Sequence, residues 1–178
     1  MQVLVIGDMH IPNEAEELPE KFRERAKDSD LVICTGDITD GKLLDELMES
    51  TNVRVVRGEE DYLELPEQDL VKVEDMKFGV LHGHQVEEEM KDREEEEKTG
   101  EEEDEEKDRM ERFVELAELL KADVLITGHT HKPFRTEKDG KVLLNPGSAT
   151  GVDAKSKTCM LLEVEGTELK GLEILTSE

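Results

Sequence analysis

The sequence QVLVIGDMH at residues 2–10 joins an apolar run, a glycine turn and two side chains that can bind a metal ion. The run from Gln2 to Ile6 is typical of a strand buried on both faces. Gly7 lets the chain turn sharply, and Asp8 and His10, two residues apart, can then reach the same ion. Because the carboxyl ends of parallel strands meet at one edge of an α/β sheet, this stretch predicts a sheet edge that carries metal ligands.

The same pattern recurs along the chain, and every histidine follows a predicted strand. His82-Gly83-His84 follows an apolar run, and Gly128-His129-Thr130-His131 follows another. Gly36-Asp37 and Gly58-Glu59 also close strand-like runs. Imidazole and carboxylate together are the ligands of divalent metals. A structural histidine is a fair alternative for any one of these residues, but the whole set predicts a metal site for two ions.

The first third of the chain alternates strands with amphipathic helices. The predicted strands are 2–6, 31–35 and 53–56. Between them, Leu18, Phe22 and Ala26 form one helical stripe, and Asp40 can cap a second helix. The apolar side of that second helix is predicted to comprise Leu43, Leu44, Leu47 and Met48. This order implies parallel strands with right-handed crossovers.

The rest of the chain is predicted to form hairpins around one helix. The hairpin strands are 70–73 with 77–81, 134–137 with 141–144, and 159–164 with 169–175. A helix marked by residues 113–120, including Leu119, precedes a strand at 124–127. We therefore expect a parallel half followed by an antiparallel half, in which two sheets pack face to face with helices outside.

Size and composition limit the classes of function. A length of 178 residues suits one domain. The net charge of −25 argues against binding to a nucleic-acid backbone. No apolar run suffices for a membrane span, and no signal peptide is evident, so we expect a cytoplasmic protein without membrane insertion. Cys34 and Cys159 are expected to be reduced core thiols, with a disulfide or metal role as the lesser alternative.

Residues 87–108 form the one low-complexity stretch, and it is rich in glutamate. Pairs such as Glu87–Lys91 and Glu105–Arg109 are spaced four apart, which supports a helix. The stretch is interpreted as lacking an apolar stripe that would dock it on a core. It is therefore predicted to be a solvated, partly helical insertion broken near Thr99-Gly100, with a partner-binding or regulatory arm as the alternative.

In order and spacing, these motifs resemble the calcineurin-like metallophosphoesterase superfamily, specifically its small single-domain phosphodiesterase branch. The similarity extends to the phosphoesterase-fold subunit of the retromer sorting complex. It implies an α/β fold, a four-layer α-β-β-α sandwich of two mixed sheets. The segments that carry the wider similarity are Asp8-Met9-His10-Ile11-Pro12, Leu18-Pro19-Glu20-Lys21-Phe22, Leu65-Pro66-Glu67-Gln68, His82-Gly83-His84-Gln85-Val86 and 145–151.

The resemblance also implies the roles of individual residues. One ion would be held by Asp8, His10, Asp37 and His131, and a second by Asp37, Glu59, His82 and His129. Among these, catalysis is assigned to Asp37, His82 and His129. His84, Asp61 and Asn145 would contact the ligand residues without binding the ions themselves. The turn from Asn145 to Ser148 is expected to buttress the metal loops rather than to touch substrate. Mn²⁺ is the favoured ion, with Zn²⁺, Ni²⁺ or Mg²⁺ as alternatives.

The chain departs from the catalytic pattern in the loop after the third strand. The family usually has Asn where this chain has Glu59, and a carboxylate cannot donate a hydrogen bond to phosphate. Larger relatives place a His acid in this loop, whereas this chain has Glu60 and Asp61. Asp37, however, keeps the bridging carboxylate that the retromer subunit replaces by Asn. Two hypotheses follow: a metal-dependent phosphoesterase that favours diesters and has weakened activity, and a retromer-subunit-like scaffold with a structural or vestigial metal site and a protein partner.

Overall fold

A computed structural model describes residues 1–96 and 102–178, with side chains described in 1–90 and 106–178. Every predicted strand is present in it, with ends that shift by at most two residues. Its elements are β1 (Gln2–Ile6), α1 (Glu20–Asp28), β2 (Leu31–Cys34), α2 (Gly41–Ser50), β3 (Val53–Val55), β4 (Gln68–Val73), β5 (Met76–Leu81), α3 (His84–Glu96), α4 (Glu102–Leu119), β6 (Val124–Ile126), β7 (Phe134–Lys138), β8 (Lys141–Asn145), β9 (Lys157–Glu165) and β10 (Glu168–Ser177).

The strands form two mixed five-stranded sheets. The first has the order β10-β9-β1-β2-β3, with β1, β2 and β3 parallel as predicted. The second has the order β4-β5-β6-β8-β7. The three predicted hairpins are antiparallel, as expected. The prediction of a wholly antiparallel second half is wrong, because β5, β6 and β8 are parallel. The helices α3 and α4 supply the crossover that a parallel β5–β6 pair needs, and the last hairpin returns to pair with β1.

Alternating residues of β1 show how the layers are built. Val3 and Val5 belong to a cluster that also contains Phe78 and Val80 of the other sheet, so this core lies between the sheets. Leu4 and Ile6 point the opposite way and pack with Phe22 and other residues of the helices α1 and α2. A third cluster joins the outer face of the second sheet to α3 and α4. The four-layer α-β-β-α sandwich is therefore confirmed.

Helix α2 forms as its sequence predicts, with one exception on its apolar side. The Asp40 carboxylate accepts a hydrogen bond from the Lys42 amide at 2.9 Å and caps the helix. Leu43, Leu44 and Leu47 are buried, but Met48 is 52% exposed. Leu119, one of the residues that mark helix α4 in the sequence, is also exposed. Both residues lie outside the buried stripe of their helix, so the predicted apolar side of α2 is wrong at Met48.

The acidic segment is docked more firmly than its composition suggests. Helix α3 begins at His84 and runs into the segment, and Val86 in its first turn is buried. Met90 packs against the third core cluster together with Met110 of α4. The prediction that nothing attaches this segment to the core is therefore wrong at Met90. The predicted break near Thr99-Gly100 lies outside the described residues.

Both cysteines have the environment expected for core thiols. Cys34 and Cys159 are buried and free. Burial raises the pKa of each thiol to about 12, so neither forms an appreciable thiolate at neutral pH. Of the helices that the structure describes, none is both long and apolar enough to cross a membrane.

Candidate metal centre

The loops that follow five strands meet at one edge of the sandwich. Asp8 and His10 follow β1, Asp37 follows β2 and Glu59 follows β3. His82 follows β5, and His129 and His131 follow β6. The structure thus brings together all seven residues predicted as ligands. Their candidate ligand atoms form overlapping groups within 4.8 Å of one another: Asp8, His10 and His131; Asp8, Asp37 and His82; and Glu59, His82 and His129.

The backbone at this edge adopts an uncommon conformation. Residues with positive φ and a side chain are rare, yet five of the seven have φ between 49° and 66°. They are Asp8, His10, Asp37, His129 and His131. Two glycines allow the loops to approach closely. A Cβ at Gly58 would overlap the Asp37 carboxylate, and one at Gly36 would lie 2.7 Å from His82 Nδ1. Such conformations cluster at functional sites.

The first ligand group places like atoms face to face. His10 Nε2 lies 3.2 Å from His131 Nε2, and His131 Nε2 lies 3.9 Å from Asp8 Oδ1. Two imidazole nitrogens that face each other can share one proton or one cation between their lone pairs. The carboxylate of Asp8, which is fully buried nearby, favours a cation at this position.

The second ligand group is more open to solvent. Glu59 Oε2 lies 2.8 Å from His129 Nδ1 and 3.7 Å from His82 Nε2. The His82 side chain is fully buried, whereas 42% of the Glu59 side chain is exposed. This group therefore combines one ligand from the core with two from the rim.

Asp37 lies between the two groups. Its Oδ2 is 3.6 Å from His10 Nε2 in the first group and 3.2 Å from His82 Nε2 in the second. Its Oδ1 accepts a hydrogen bond from the Glu60 amide at 2.9 Å. One oxygen is thus used by the loop, and the other faces both groups, which is the placement that a bridging carboxylate requires.

Each of the four ligand histidines is anchored at one ring nitrogen and faces the centre with the other. His82 Nδ1 and His131 Nδ1 each donate to a backbone carbonyl at 2.7 Å, those of Thr35 and Val152. His10 Nδ1 lies 3.0 Å from Glu60 Oε2, and His129 Nε2 lies 3.0 Å from Glu87 Oε2. Outer acceptors of this kind set the tautomer and orientation of metal-binding histidines.

Two enclosed atoms at the centre show that a cation fits. Asp8 Oδ2 and His82 Nε2 are fully enclosed. Asp8 Oδ2 has no hydrogen-bond partner among the described residues, and His82 Nε2 has no well-aligned hydrogen bond, although it lies 3.2 Å from Asp37 Oδ2. A buried polar atom without a partner costs about 1–3 kcal/mol. Coordination to a metal ion would satisfy both atoms, and the nitrogen and carboxylate donors suit a divalent ion.

The charges within the centre shift the pKa values of its residues. Burial lowers the pKa of His82, but Asp37 and Asp8 raise it more, to about 9. The pKa of the Asp37 carboxyl is lowered despite burial, because His82 stabilises the charged form. Burial raises the pKa of Asp8 against the opposing effect of His82 and His131. The two buried carboxylates thus favour a positive charge at this position.

Asp61, predicted to support the ligands, ties together the loops after β2 and β3. Its Oδ2 accepts hydrogen bonds from the amides of Asp37 at 2.9 Å and Gly58 at 2.8 Å. Its Oδ1 accepts one from the Thr39 amide at 2.8 Å. Because both oxygens of this buried carboxylate are engaged by backbone, Asp61 is a poor source of protons for a substrate.

The turn that begins at Asn145 forms hydrogen bonds to the loops that carry candidate ligands. Asn145 Nδ2 donates to the Gly128 carbonyl at 2.7 Å, and Asn145 Oδ1 accepts from the Gly147 amide at 2.8 Å. Ser148 Oγ donates to the Asp8 carbonyl at 2.7 Å. The turn thus supports the loop of β1 and the loop of β6 from behind.

His84 lies at the rim beside the second ligand group. Its ring centroid is 5.4 Å from that of His82, and its Nδ1 is 3.8 Å from Glu59 Oε2. Burial and the neighbouring His82 lower its pKa. Its Nδ1 forms no hydrogen bond with the described part of the chain, so His84 adjoins the second ligand group without being hydrogen-bonded to it through this nitrogen.

The sequence gives no signal for two carboxylates that contact the centre. Glu60 and Glu87 anchor His10 and His129, as described above. Glu87 is one of a long series of glutamates, and nothing in the order of residues separates it from its neighbours. Only the fold, which starts α3 directly behind His82, places it against His129.

Comparisons with known proteins show the family of this chain. Residues 1–167 match the calcineurin-like phosphoesterase superfamily domain. The chain belongs to this superfamily. It is 36% identical to a probable metallophosphoesterase of Methanocaldococcus jannaschii over 93% of this chain and 77% of that protein. Against a probable metallophosphoesterase of Methanothermobacter thermautotrophicus the identity is 34%, over 95% of this chain and 89% of that protein.

The calcineurin-like fold is also shared with solved structures. The crystal structure of wild-type Vps29 from Entamoeba histolytica, complexed with Zn²⁺, superposes with a TM-score of 0.74 at 33% identity. The match covers 99% of this chain and 98% of that one. The two sheets and their helices therefore have the arrangement of this fold.

Proposed function

We propose that this calcineurin-like chain is a divalent-metal-dependent phosphoesterase that hydrolyses phosphodiesters at a dinuclear centre. The observation that carries the proposal is the position of Asp37 Oδ2, which lies 3.6 Å from a nitrogen of one ligand group and 3.2 Å from a nitrogen of the other. A carboxylate in this place can bridge two ions. The enclosed atoms of Asp8 and His82 that have no well-aligned hydrogen bond support the same conclusion.

The residues divide into two sets around Asp37. Asp8, His10 and His131 would complete the first site with Asp37. Glu59, His82 and His129 would complete the second, again with Asp37. Mn²⁺ is the favoured ion, and Zn²⁺, Ni²⁺ and Mg²⁺ are alternatives; the zinc complex of Vps29 from Entamoeba histolytica supports a divalent ion in this fold. Divalent ions would supply Lewis-acid activation of water and neutralise charge on the phosphoryl oxygens.

The charge at the rim favours diesters over monoesters. Glu59, 42% exposed on its side chain, and Glu60, also 42% exposed, border the centre together with Glu14. A monoester carries up to two negative charges at neutral pH, whereas a diester carries one, so these carboxylates repel the monoester more strongly. Phosphodiesters are therefore the substrate class that this centre accepts at lower electrostatic cost.

Leaving-group chemistry narrows the substrate further. Asp61 is engaged by three backbone amides, so it is not available to protonate a leaving oxygen. When no side chain is placed to protonate the leaving oxygen, hydrolysis is faster for a leaving group that is stable as an anion. We therefore expect aryl diesters to be cleaved faster than alkyl diesters.

The test is a metal-dependent assay on a generic aryl phosphodiester. The wild-type chain loaded with Mn²⁺ should hydrolyse it, and an Asp37→Asn variant should lose most of this activity because an amide is a poor bridging ligand. Hydrolysis that is equal in the two proteins, or that survives complete removal of metal, would refute the proposal.

The similarity to Vps29 over the whole chain favours a second candidate, a protein-binding scaffold whose metal centre is structural. This candidate predicts that the protein binds metal but does not turn over any aryl phosphoester. It is favoured if a fully metal-loaded sample shows no hydrolysis of aryl diesters and aryl monoesters above that of free Mn²⁺.

A further inference from the structure

The first turn of α3 places one carboxylate, that of Glu87, against the rim of the metal centre. Glu87 Oε2 lies 3.0 Å from His129 Nε2, while His129 Nδ1 faces Glu59 Oε2 at 2.8 Å. The imidazole ring is therefore held between an outer carboxylate and an inner one. The outer carboxylate comes from the acidic segment, which the composition alone assigns to solvent.

The fold holds Glu87 in this position from two sides. The Val86 amide donates to the Gly83 carbonyl at 3.1 Å, and the Val86 side chain is buried in a cluster with Phe113 of α4. From α4, Arg109 Nη1 lies 3.5 Å from Glu87 Oε1. The first turn of α3 is thus attached to the core, and the carboxylate itself is paired with α4.

The four ligand histidines differ in how they are anchored. His82 and His131 donate to backbone carbonyls, which the sheets and loops hold in place. His129 relies on a side chain from a different element, α3. No substitution removes a backbone carbonyl, but a single substitution removes the Glu87 carboxylate. The orientation of His129 therefore depends on the helical pair α3–α4, whereas the orientations of His82 and His131 do not.

We propose that Glu87, held by Arg109, is a positioning residue that accepts the Nε2 proton of His129 and directs the Nδ1 lone pair of that ring into the second metal site. The inference rests on the proposed metal-dependent function. Outer carboxylates that orient a metal-binding histidine typically contribute 10–100-fold to metal affinity. The acidic segment contributes residues to both α3 and α4. Through Glu87 and Arg109, these two helices thereby become part of the metal centre.

A neighbouring glutamate provides a matched control. Glu89 lies on the same helix and pairs with Arg112 of α4, with Arg112 Nη2 at 2.9 Å from Glu89 Oε2. Glu89→Ala removes the same charge and the same kind of link between α3 and α4 as Glu87→Ala. It leaves His129 untouched. Any difference between these two variants therefore reports the contact with His129 rather than the loss of a charge or of an ion pair.

The first measurement is calorimetric titration of metal-stripped wild type, Glu87→Ala, Glu87→Gln and Glu89→Ala with Mn²⁺. We expect two binding events in the wild type and a 10–100-fold weaker second event in Glu87→Ala. Glu87→Gln should retain most of the affinity, because its amide oxygen can still accept the Nε2 proton. Glu89→Ala should match the wild type. Equal second-site affinities in Glu87→Ala and Glu89→Ala would overturn the proposal.

A second measurement decides the role of Glu87 without metal. Long-range ¹H–¹⁵N correlation spectra of the metal-free proteins, recorded where the ring is neutral, report the tautomer of His129. Because Glu59 Oε2 faces Nδ1 at 2.8 Å and would compete for the proton, the spectra are compared in a Glu59→Ala background. In that background the parent and Glu89→Ala should show the Nε2–H form, and Glu87→Ala should show a mixture. A mixture already present in the Glu59→Ala parent would overturn the proposal. An Nε2–H form in the parent, together with a wild type that binds no Mn²⁺, would refute the metal function and leave the orienting contact established.

Discussion

The two halves of the metal centre are built differently. In the inner half, Asp8 and Asp37 are 0% and 1% exposed, and His131 is anchored by a backbone carbonyl. In the outer half, the Glu59 side chain is 42% exposed, and His129 is anchored by the side chain of Glu87. Each half also has one histidine of the other kind, because Glu60 anchors His10 in the inner half and the Thr35 carbonyl anchors His82 in the outer half. The difference therefore lies in the carboxylates: that of Asp8 is enclosed by protein, whereas that of Glu59 is exposed to water, which competes for the ion. We therefore expect the inner site to bind its ion more tightly than the outer site.

The largest effect is expected at Asp37, the residue that both halves share. Asp37→Asn should lower kcat/KM on an aryl phosphodiester by about 100-fold or more, which corresponds to roughly 2.7 kcal/mol of transition-state stabilisation. The physical reason is that an amide carries no charge and its nitrogen cannot coordinate a cation. Steady-state kinetics at saturating Mn²⁺ measures this change.

The matched control for Asp37 is Asp45→Asn, the same substitution at an exposed position on α2. It should leave kcat/KM unchanged. A loss of activity in the control similar to that in Asp37→Asn would show that global charge, and not the bridging position, explains the effect.

A smaller change of opposite sign is expected in the outer half. Glu59→Asn should raise kcat/KM for a phosphodiester by about tenfold, or roughly 1.4 kcal/mol. The substitution removes a negative charge beside the substrate and adds a hydrogen-bond donor for the developing negative oxygens. Affinity for the outer ion should fall slightly or stay level. Kinetics at saturating Mn²⁺, with metal occupancy determined on the same samples, tests both expectations.

Glu64→Gln serves as the control for Glu59, because it removes one charge from an exposed position in the same loop. It should change kcat/KM little. Loss of activity in Glu59→Asn at full metal occupancy would mean that Glu59 takes part in the chemistry. It would contradict the expectation that the charge of Glu59 slows the reaction.

Sequence patterns predicted the fold and the meeting of the candidate ligands at one sheet edge, for physical reasons. A strand that is buried on both faces is apolar, so a polar side chain that follows it stands out, and Asp8, Asp37 and His82 are evident from local order. Pairing between distant strands leaves no local mark, and for this reason the parallel β5–β6–β8 arrangement was not predicted. Likewise, Glu87 and Glu60 act through contacts that only the fold creates, and their sequence neighbours are also acidic.

The smallest effect concerns the packing that supports the outer half. Met90→Ala should lower the free energy of unfolding by about 1 kcal/mol, because this half-buried side chain packs on the cluster shared by α3 and α4. For a chain of this size the melting temperature should fall by roughly 2–4 °C. Met48→Ala is the control, since Met48 is 52% exposed, and it should change the melting temperature little. Equal shifts in the two variants would show that α3 is not docked through Met90.

The number of ions per chain tests the central claim most directly. Six candidate ligand residues converge around Asp37, so elemental analysis after loading with Mn²⁺ at neutral pH and removal of free metal should find two ions per chain. A value of one would indicate that the outer half does not hold its ion under these conditions. A value near zero in a folded sample, prepared without chelator, would contradict the dinuclear centre and the function proposed for it.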